Sequence, residues 1–290
     1  MTASSRAPAV AGQFYASDPT ELAHEVEASF LSSRGPGSLP ARRRSATRSI
    51  RAAVVPHAGY RYSGPIAAWA YDAIASERPP ATTLILGVDH HGVTSEGALS
   101  DRVWVTPLGP VDVDHDLVHA LAHGPVRVDE RAHTREHSIE VQLPFLDYVL
   151  PHPRIVALMV PFGPLEFLQE VAEVVRSAIR ERDVLLIAST DFSHYVPPGE
   201  AERMDHLAIR EILAGDPGGL YRTVTGKGIS MCGIAPTTVL LAVLKGEGPP
   251  FRLLRWGHSG EADPMDTVVG YASLVARPPN NGSTTSAVPD

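Results

Sequence analysis

Apolar residues along this chain gather in short runs, and several runs end abruptly in polar residues that can carry chemistry. Leu84-Ile85-Leu86-Gly87-Val88 suits a strand buried on both faces of a parallel sheet, and Asp89-His90-His91-Gly92 follows it. Ile50 to Pro56 is a second such run and delivers His57-Ala58-Gly59. Val184 to Ser189 is a third, ending Thr190-Asp191-Phe192-Ser193-His194. Arg154 to Val160 reads as a further strand, Val103 to Thr106 as a short one, and Leu253 to Gly257 and Thr267 to Val275 as closing strands. Helical period fills the spaces between. Asp18-Pro19-Thr20-Glu21 supplies a capping carboxylate and a proline at the first helical position, with Leu22, Val26 and Phe30 on one face. Ser63 and Pro65 open a second helix that runs to about Ser76. Asp114 to His123, Pro164 to about Arg180, Glu200 to Leu213 and Ala235 to Lys245 are also helical, the three histidines of the first reading as a solvated face. From Arg135 to Leu146 a stripe of Ile139, Leu143 and Leu146 predicts a helix that Pro144 kinks or opens. Glu136, His137 and Glu140 then cluster at its N-terminal end, where the dipole favours anions and lowers a histidine pKa; a simple capping cluster is the alternative.

Strand and helix alternating in this way predict an α/β fold: a single domain with a mostly parallel central sheet flanked by helices. No repeat and no long linker calls for a second domain. The domain spans 1–277, and the polar stretch 278–290 reads as a disordered tail. Ser32 to Ser49 is rich in Gly, Pro, Ser and Arg and reads as a loop, with Arg42-Arg43-Arg44 solvated more readily than forming an anion patch.

A formal net charge of -8 argues against a general nucleic-acid binder and against docking on anionic lipid. No apolar run approaches the roughly 18 residues a membrane span needs, and Met1 to Pro8 has no apolar signal core. The single cysteine excludes an internal disulfide, so the cytoplasm is the expected location.

In open α/β sheets ligands bind beyond the carboxyl ends of the strands. The strand-helix-strand unit from Ile50 to Val88 places His57 and His90 at one edge. Neighbouring side chains on an extended chain point opposite ways, so one of His90 and His91 faces a site and the other holds the loop. Asp191 and His194 end the third strand, where they bond each other or meet the same ligand. A polar cluster at one strand end has many structural explanations; at three ends a shared site is the more economical reading. Cys232, in the glycine-rich stretch Gly226 to Gly233, precedes a helix, where a thiolate is stabilised. His258 is a weaker candidate. Histidines with a carboxylate or thiolate suit a transition metal, and two histidines plus one anion follow the logic of non-haem Fe(II) sites, with a thiolate also favouring Zn or Cu(I). The alternative is metal-free: Cys232 as nucleophile with His57, His90 or His194 as base. Neither a Walker A motif nor GxGxxG occurs, which counts against a nucleotide enzyme.

Ala9-Val10-Ala11-Gly12-Gln13-Phe14-Tyr15, Pro56-His57-Ala58-Gly59-Tyr60, Tyr62-Ser63-Gly64, His90-His91-Gly92, Glu136-His137-Ser138-Ile139-Glu140, Asp191-Phe192-Ser193-His194 and Cys232-Gly233 occur in this order. Together they resemble the MEMO family (mediator of ErbB2-driven cell motility; in prokaryotes, AmmeMemoRadiSam system protein B). The resemblance implies a fold similar to class III extradiol (LigB-type) non-haem iron dioxygenases. It implies a vestibule of His57, His90, Asp191, His194 and Cys232, with His57, His90 and Cys232 as metal ligands and His137 as general acid/base. It also implies iron or copper binding with redox activity on a small molecule: Fe(II) first, Cu or Zn as alternatives. A binding or scaffold protein that keeps the pocket without turnover is the competing reading, as is a cysteine-dependent hydrolase. In a prokaryote, radical-SAM and AMMECR1-like partner proteins are expected. One departure from the family pattern is Gly87-Val88-Asp89, where the family has Gly-Pro-Ser. Asp89 is then a ligand, a partner that orients His90, or a sign of altered chemistry.

Overall fold

The computed structural model describes residues 5–41, 45–246 and 248–278; Arg42 to Arg44 and the tail beyond Pro278 lie outside the described residues. In chain order the elements are β1 (Ser5–Arg6), α1 (Pro19–Leu31), β2 (Ala52–Val55), α2 (Tyr60–Ala75), β3 (Thr82–Val88), β4 (Gly97–Ser100), β5 (Val103–Thr106), β6 (Gly109–Val113), α3 (His115–Leu121), β7 (Val126–Val128), α4 (Glu130–His133), α5 (Leu143–Val149), β8 (Arg154–Val160), α6 (Leu165–Ile179), β9 (Val184–Ser189), β10 (His194–Val196), α7 (Pro198–Leu213), α8 (Pro217–Lys227), α9 (Ile234–Leu244), β11 (Phe251–His258) and β12 (Val268–Ala276).

The strands join in one sheet whose main path runs β1-β5-β6-β8-β3-β9-β2-β12-β10. Its centre, β6-β8-β3-β9-β2, is parallel throughout. Every residue of β2, β3 and β9 is buried, which is why these strands read as unbroken apolar runs and not as alternating ones. β12 pairs antiparallel with β2, and β11 and β10 pair antiparallel with β12. Two helix groups flank the sheet. In one, α1, α2 and α5 pack together and α2 lies on β2, β11 and β12; in the other, α9 lies on β3, β8 and β9 and packs on α6 and α8. All residues of α9 are buried, as its all-round apolar sequence demands. The α/β architecture expected from the alternation is thus present. Among the described residues no helix is long and apolar enough to cross a membrane.

Three local expectations are corrected. Helix α2 begins at Tyr60, so Pro65 lies inside it and not at its start. Pro65 has no N–H to offer the carbonyl of Arg61, and the Arg34 guanidinium takes that role, donating to Arg61 O at 2.8 Å and Tyr62 O at 3.0 Å. Helix α8 is an addition: Gly218 and Gly219 disguise it in the sequence, and it ends at Gly228 in the left-handed conformation (φ 64°). Finally, 135–146 is not one helix. A 3-10 turn at Glu140–Gln142 leads into α5, with Pro144 in its first turn. Glu136 and His137 precede both and owe nothing to a helix dipole.

Candidate metal centre

The adjacent strands β3, β9 and β2 end side by side, and their trailing loops carry His90, Asp191 and His57 to one edge. Cys232 arrives from the far side of α8, on the segment before α9. Gly233 N–H donates to Thr190 Oγ1 at 3.0 Å. A Cβ at position 233 would collide with Thr190 and with Ser189 O, so the residue after the cysteine has to be glycine for the segment to lie against β9. One ligand atom each from His57, His90 and Cys232 falls within 4.8 Å of the others. Cys232 Sγ is 3.3 Å from His57 Nε2 and accepts the Asp191 N–H at 3.3 Å. His91 is exposed and its ring reaches Arg135 O, so only His90 of the pair joins the group.

Hydrogen bonds assign the histidine tautomers. Ser189 Oγ donates to Ser138 O at 2.6 Å and accepts from Gln142 Nε2 at 2.8 Å. Its remaining lone pair therefore takes Nδ1–H of His57, at 2.9 Å. The Gln142 amide is itself oriented: its Oε1 accepts Tyr71 O–H at 2.6 Å and its Nε2 donates to Pro56 O at 2.9 Å. His90 donates Nδ1–H to Glu136 Oε1 at 2.9 Å. His194 donates Nδ1–H to Phe192 O and Ser230 O at 2.7 and 2.8 Å. In all three rings Nδ1 is thereby engaged, which leaves Nε2 as the atom to face a ligand. His137 stacks on His90 with ring centroids 4.7 Å apart and meets Phe14 at the same distance.

Burial sets most of the electrostatics. It lowers the pKa of His57 well below the ordinary imidazole value, and that of His137 to about 4. It raises Asp191 to about 6, although the amides of His57 and Ala58 pull the other way. Burial, with the Asp191 charge beside it, also pushes the Cys232 thiol up, so the helix start does not yield the free thiolate expected from the sequence. Burial would raise Glu136 as well, but the hydrogen bond and charge of His90, the charge of His137 and the Ser138 amide together hold it well below the usual carboxylate range.

Other expected residues take different posts. Asp191 Oδ1 accepts His57 N–H at 2.8 Å and does not bond His194. Asp89 Oδ2 caps its own loop by accepting Thr94 N–H at 3.0 Å, and the carboxylate that orients His90 is Glu136. Glu140 is a clear correction: it turns away from the site, ion-pairs with Arg6, and accepts Ala9 N–H, Val10 N–H and Tyr15 O–H. His258 packs beside Trp256 and belongs to neither group of converging ligand atoms. The second of those groups is His90, Glu136 and His137. The sequence reading missed Ser189, Gln142 and Tyr71. Phe14 had a signal, the compact aromatic pair Phe14-Tyr15.

The family model for Memo-like proteins matches residues 6–275. A MEMO1 family protein of Methanopyrus kandleri is 40% identical over 280 residues, covering 94% of this chain and 99% of its own length. One of Sulfolobus acidocaldarius is 40% identical over 278 residues, covering 93% and 98%. Among solved structures, an uncharacterized protein of Escherichia coli K12 has a TM-score of 0.52, covering 79% of this chain and 100% of its own, at 13% identity: a likeness of fold.

Proposed function

The chain belongs to the Memo-like protein family, and from that premise we propose that it is a metal-dependent oxidoreductase acting on a small molecule, its metal held by His57, His90 and Cys232. The observation that carries this reading is the convergence of those three donors within 4.8 Å at the open end of the central strands. The donor set fits. Two imidazoles, each held through Nδ1–H with Nε2 turned to the group, and one sulfur leave room for further ligands, the arrangement of non-haem Fe(II) sites, while the sulfur also admits Cu or Zn. Bound there, the metal supplies Lewis acidity and, if iron or copper, a redox couple.

The protein's own groups do the rest. Ser189 and Glu136 hold the His57 and His90 rings by their Nδ1–H groups, so neither ring has to rotate to bind. Cys232 gives up its thiol proton on binding. His137, neutral near pH 7, stands against His90 as a base for a substrate proton. Asp191 keeps the His57 turn in place. The metal-free thiol reading is the less supported one. A nucleophilic cysteine needs its thiolate, and burial favours the neutral thiol beside a neutral His57. The scaffold reading predicts partner binding without turnover.

The test is elemental analysis of protein purified anaerobically. We expect near-stoichiometric iron or copper in wild type and its loss in Cys232→Ser and His57→Ala. Wild type that takes up no metal even after Fe(II) addition would overturn the reading.

A further inference from the structure

A cavity of about 370 Å³ lies directly beside the candidate centre and shares Cys232 with it. Its other walls are Phe162, Val224, Ile229, Met231 and Ile234, with Thr225 and Gly228 at the α8 end. No lining residue is charged. The volume lies within the ~300–1,000 Å³ range of small-molecule pockets. Phe162 follows β8, the strand next to β3, so the cavity opens at the edge where His57 and His90 end their strands. Its ring is 64% exposed yet not loose: it stacks on Tyr221, 6.1 Å away and 8° from parallel, and Tyr221 O–H donates to Gly163 O.

A second observation points the same way. Val93, Phe162, Tyr195 and Met265 are four of the exposed large apolar side chains among the described residues. Val93, Phe162 and Met265 follow β3, β8 and β11, Tyr195 lies in β10 just after β9, and the strands β3, β8, β9 and β11 all end at this edge. Tyr195 is held there at φ 57°, a conformation few non-glycine residues adopt. This edge thus exposes apolar side chains in a chain of net charge -8.

We propose that this cavity is the subsite for the apolar end of the substrate, so that the site takes a small molecule with a polar, metal-seeking head and an alkyl or aryl tail seated against Phe162, Ile229 and Met231. A charged or strongly polar tail would lose its hydration there with no partner to replace it, whereas an alkyl or aryl tail gains by burial. The head rests on the metal reading above; the tail rests on the cavity.

The single cysteine gives a direct test without metal. Wild type, Phe162→Ser and Thr225→Arg are reacted with methyl and n-hexyl methanethiosulfonate, and Cys232 labelling is followed by mass spectrometry. Neither substituted residue touches the ligand group, and both side chains lie at the surface, so folding is spared. In wild type the hexyl reagent should gain about tenfold over methyl, relative to the same pair on glutathione, a factor that burying about two methylenes supplies. Thr225→Arg should abolish the gain and Phe162→Ser reduce it. Equal ratios in wild type and glutathione, a gain that survives in both variants, or no labelling by either reagent would overturn the proposal. A parallel arm adds Fe(II) anaerobically. Protection of Cys232 supports the metal reading whatever the ratio, and absence of protection counts against that reading while leaving the cavity result standing.

Discussion

Glu136 concentrates four donors on one buried carboxylate: the ring of His90 and the amides of His90, His137 and Ser138. Glu136→Gln should lower metal affinity about 10- to 100-fold while leaving the circular dichroism spectrum unchanged, as chelator competition would read. Cys232 makes a second prediction at the same scale. With His57 neutral and the thiol protonated near pH 7, binding a divalent metal should release the proton of the sulfur and none from His57. Apparent affinity should then rise about tenfold per pH unit below the thiol pKa. Calorimetry in buffers of different ionisation heat checks the count, and Cys232→Ser should lose the released proton along with most of the affinity. The histidines and the cysteine were legible in the sequence because each interrupts an apolar run or a glycine loop. Ser189, Gln142 and Tyr71 were not. They are buried polar side chains whose purpose, fixing a ring nitrogen, depends on contacts between residues 47 to 132 positions apart.

At the level of elements, the N-terminal segment is tied to the stretch between α4 and α5. The Arg6 guanidinium pairs with Glu140, lies 4.2 Å above the Trp104 ring and donates to His133 O and Glu136 O. Both charged side chains are buried. Arg6→Ala should cost about 3–5 kcal/mol in urea unfolding, because it leaves a buried carboxylate without its counter-charge. Glu136 and Glu140 stand four positions apart, which suggested one helical face. The chain has no helix at Glu136, so they diverge, one to the site and one to the strap. Helix α8 escaped notice for the opposite reason: its two glycines hide a real helix that packing against α7 and α9 holds. The parallel strands were the most legible part, since burial on both faces writes itself directly as an apolar run.

Across the whole molecule, buried neutral histidines set the response to acid. His133 donates Nε2–H to Ala98 O at 3.0 Å, and its buried Nδ1 has no partner for a second proton. Burial lowers its pKa to about 4, against about 6.5 unfolded. The unfolded chain thus binds the extra proton first. The stabilising contribution is whole above about pH 6.5 and is lost as pH falls toward 4, by about 3 kcal/mol in total. Asp191, raised to about 6, works in the opposite sense, so the clean measurement is the difference between wild type and His133→Gln in urea titrations at pH 7 and pH 4.5. Wild type should lose more stability than the variant over that interval. The strap of Arg6 has a kinetic meaning as well. Its partner Glu140 is 134 positions away, and Phe14 reaches His137 across a similar span. During synthesis Arg6 and Phe14 stay undocked until the 134 positions that separate Arg6 from Glu140 have been made. Closing so large a loop is entropically slow. The wall that carries His137 therefore waits on a long-range closure, and Cys232, 175 positions from His57, waits on a longer one still, so the pocket is assembled from segments that are made far apart in time.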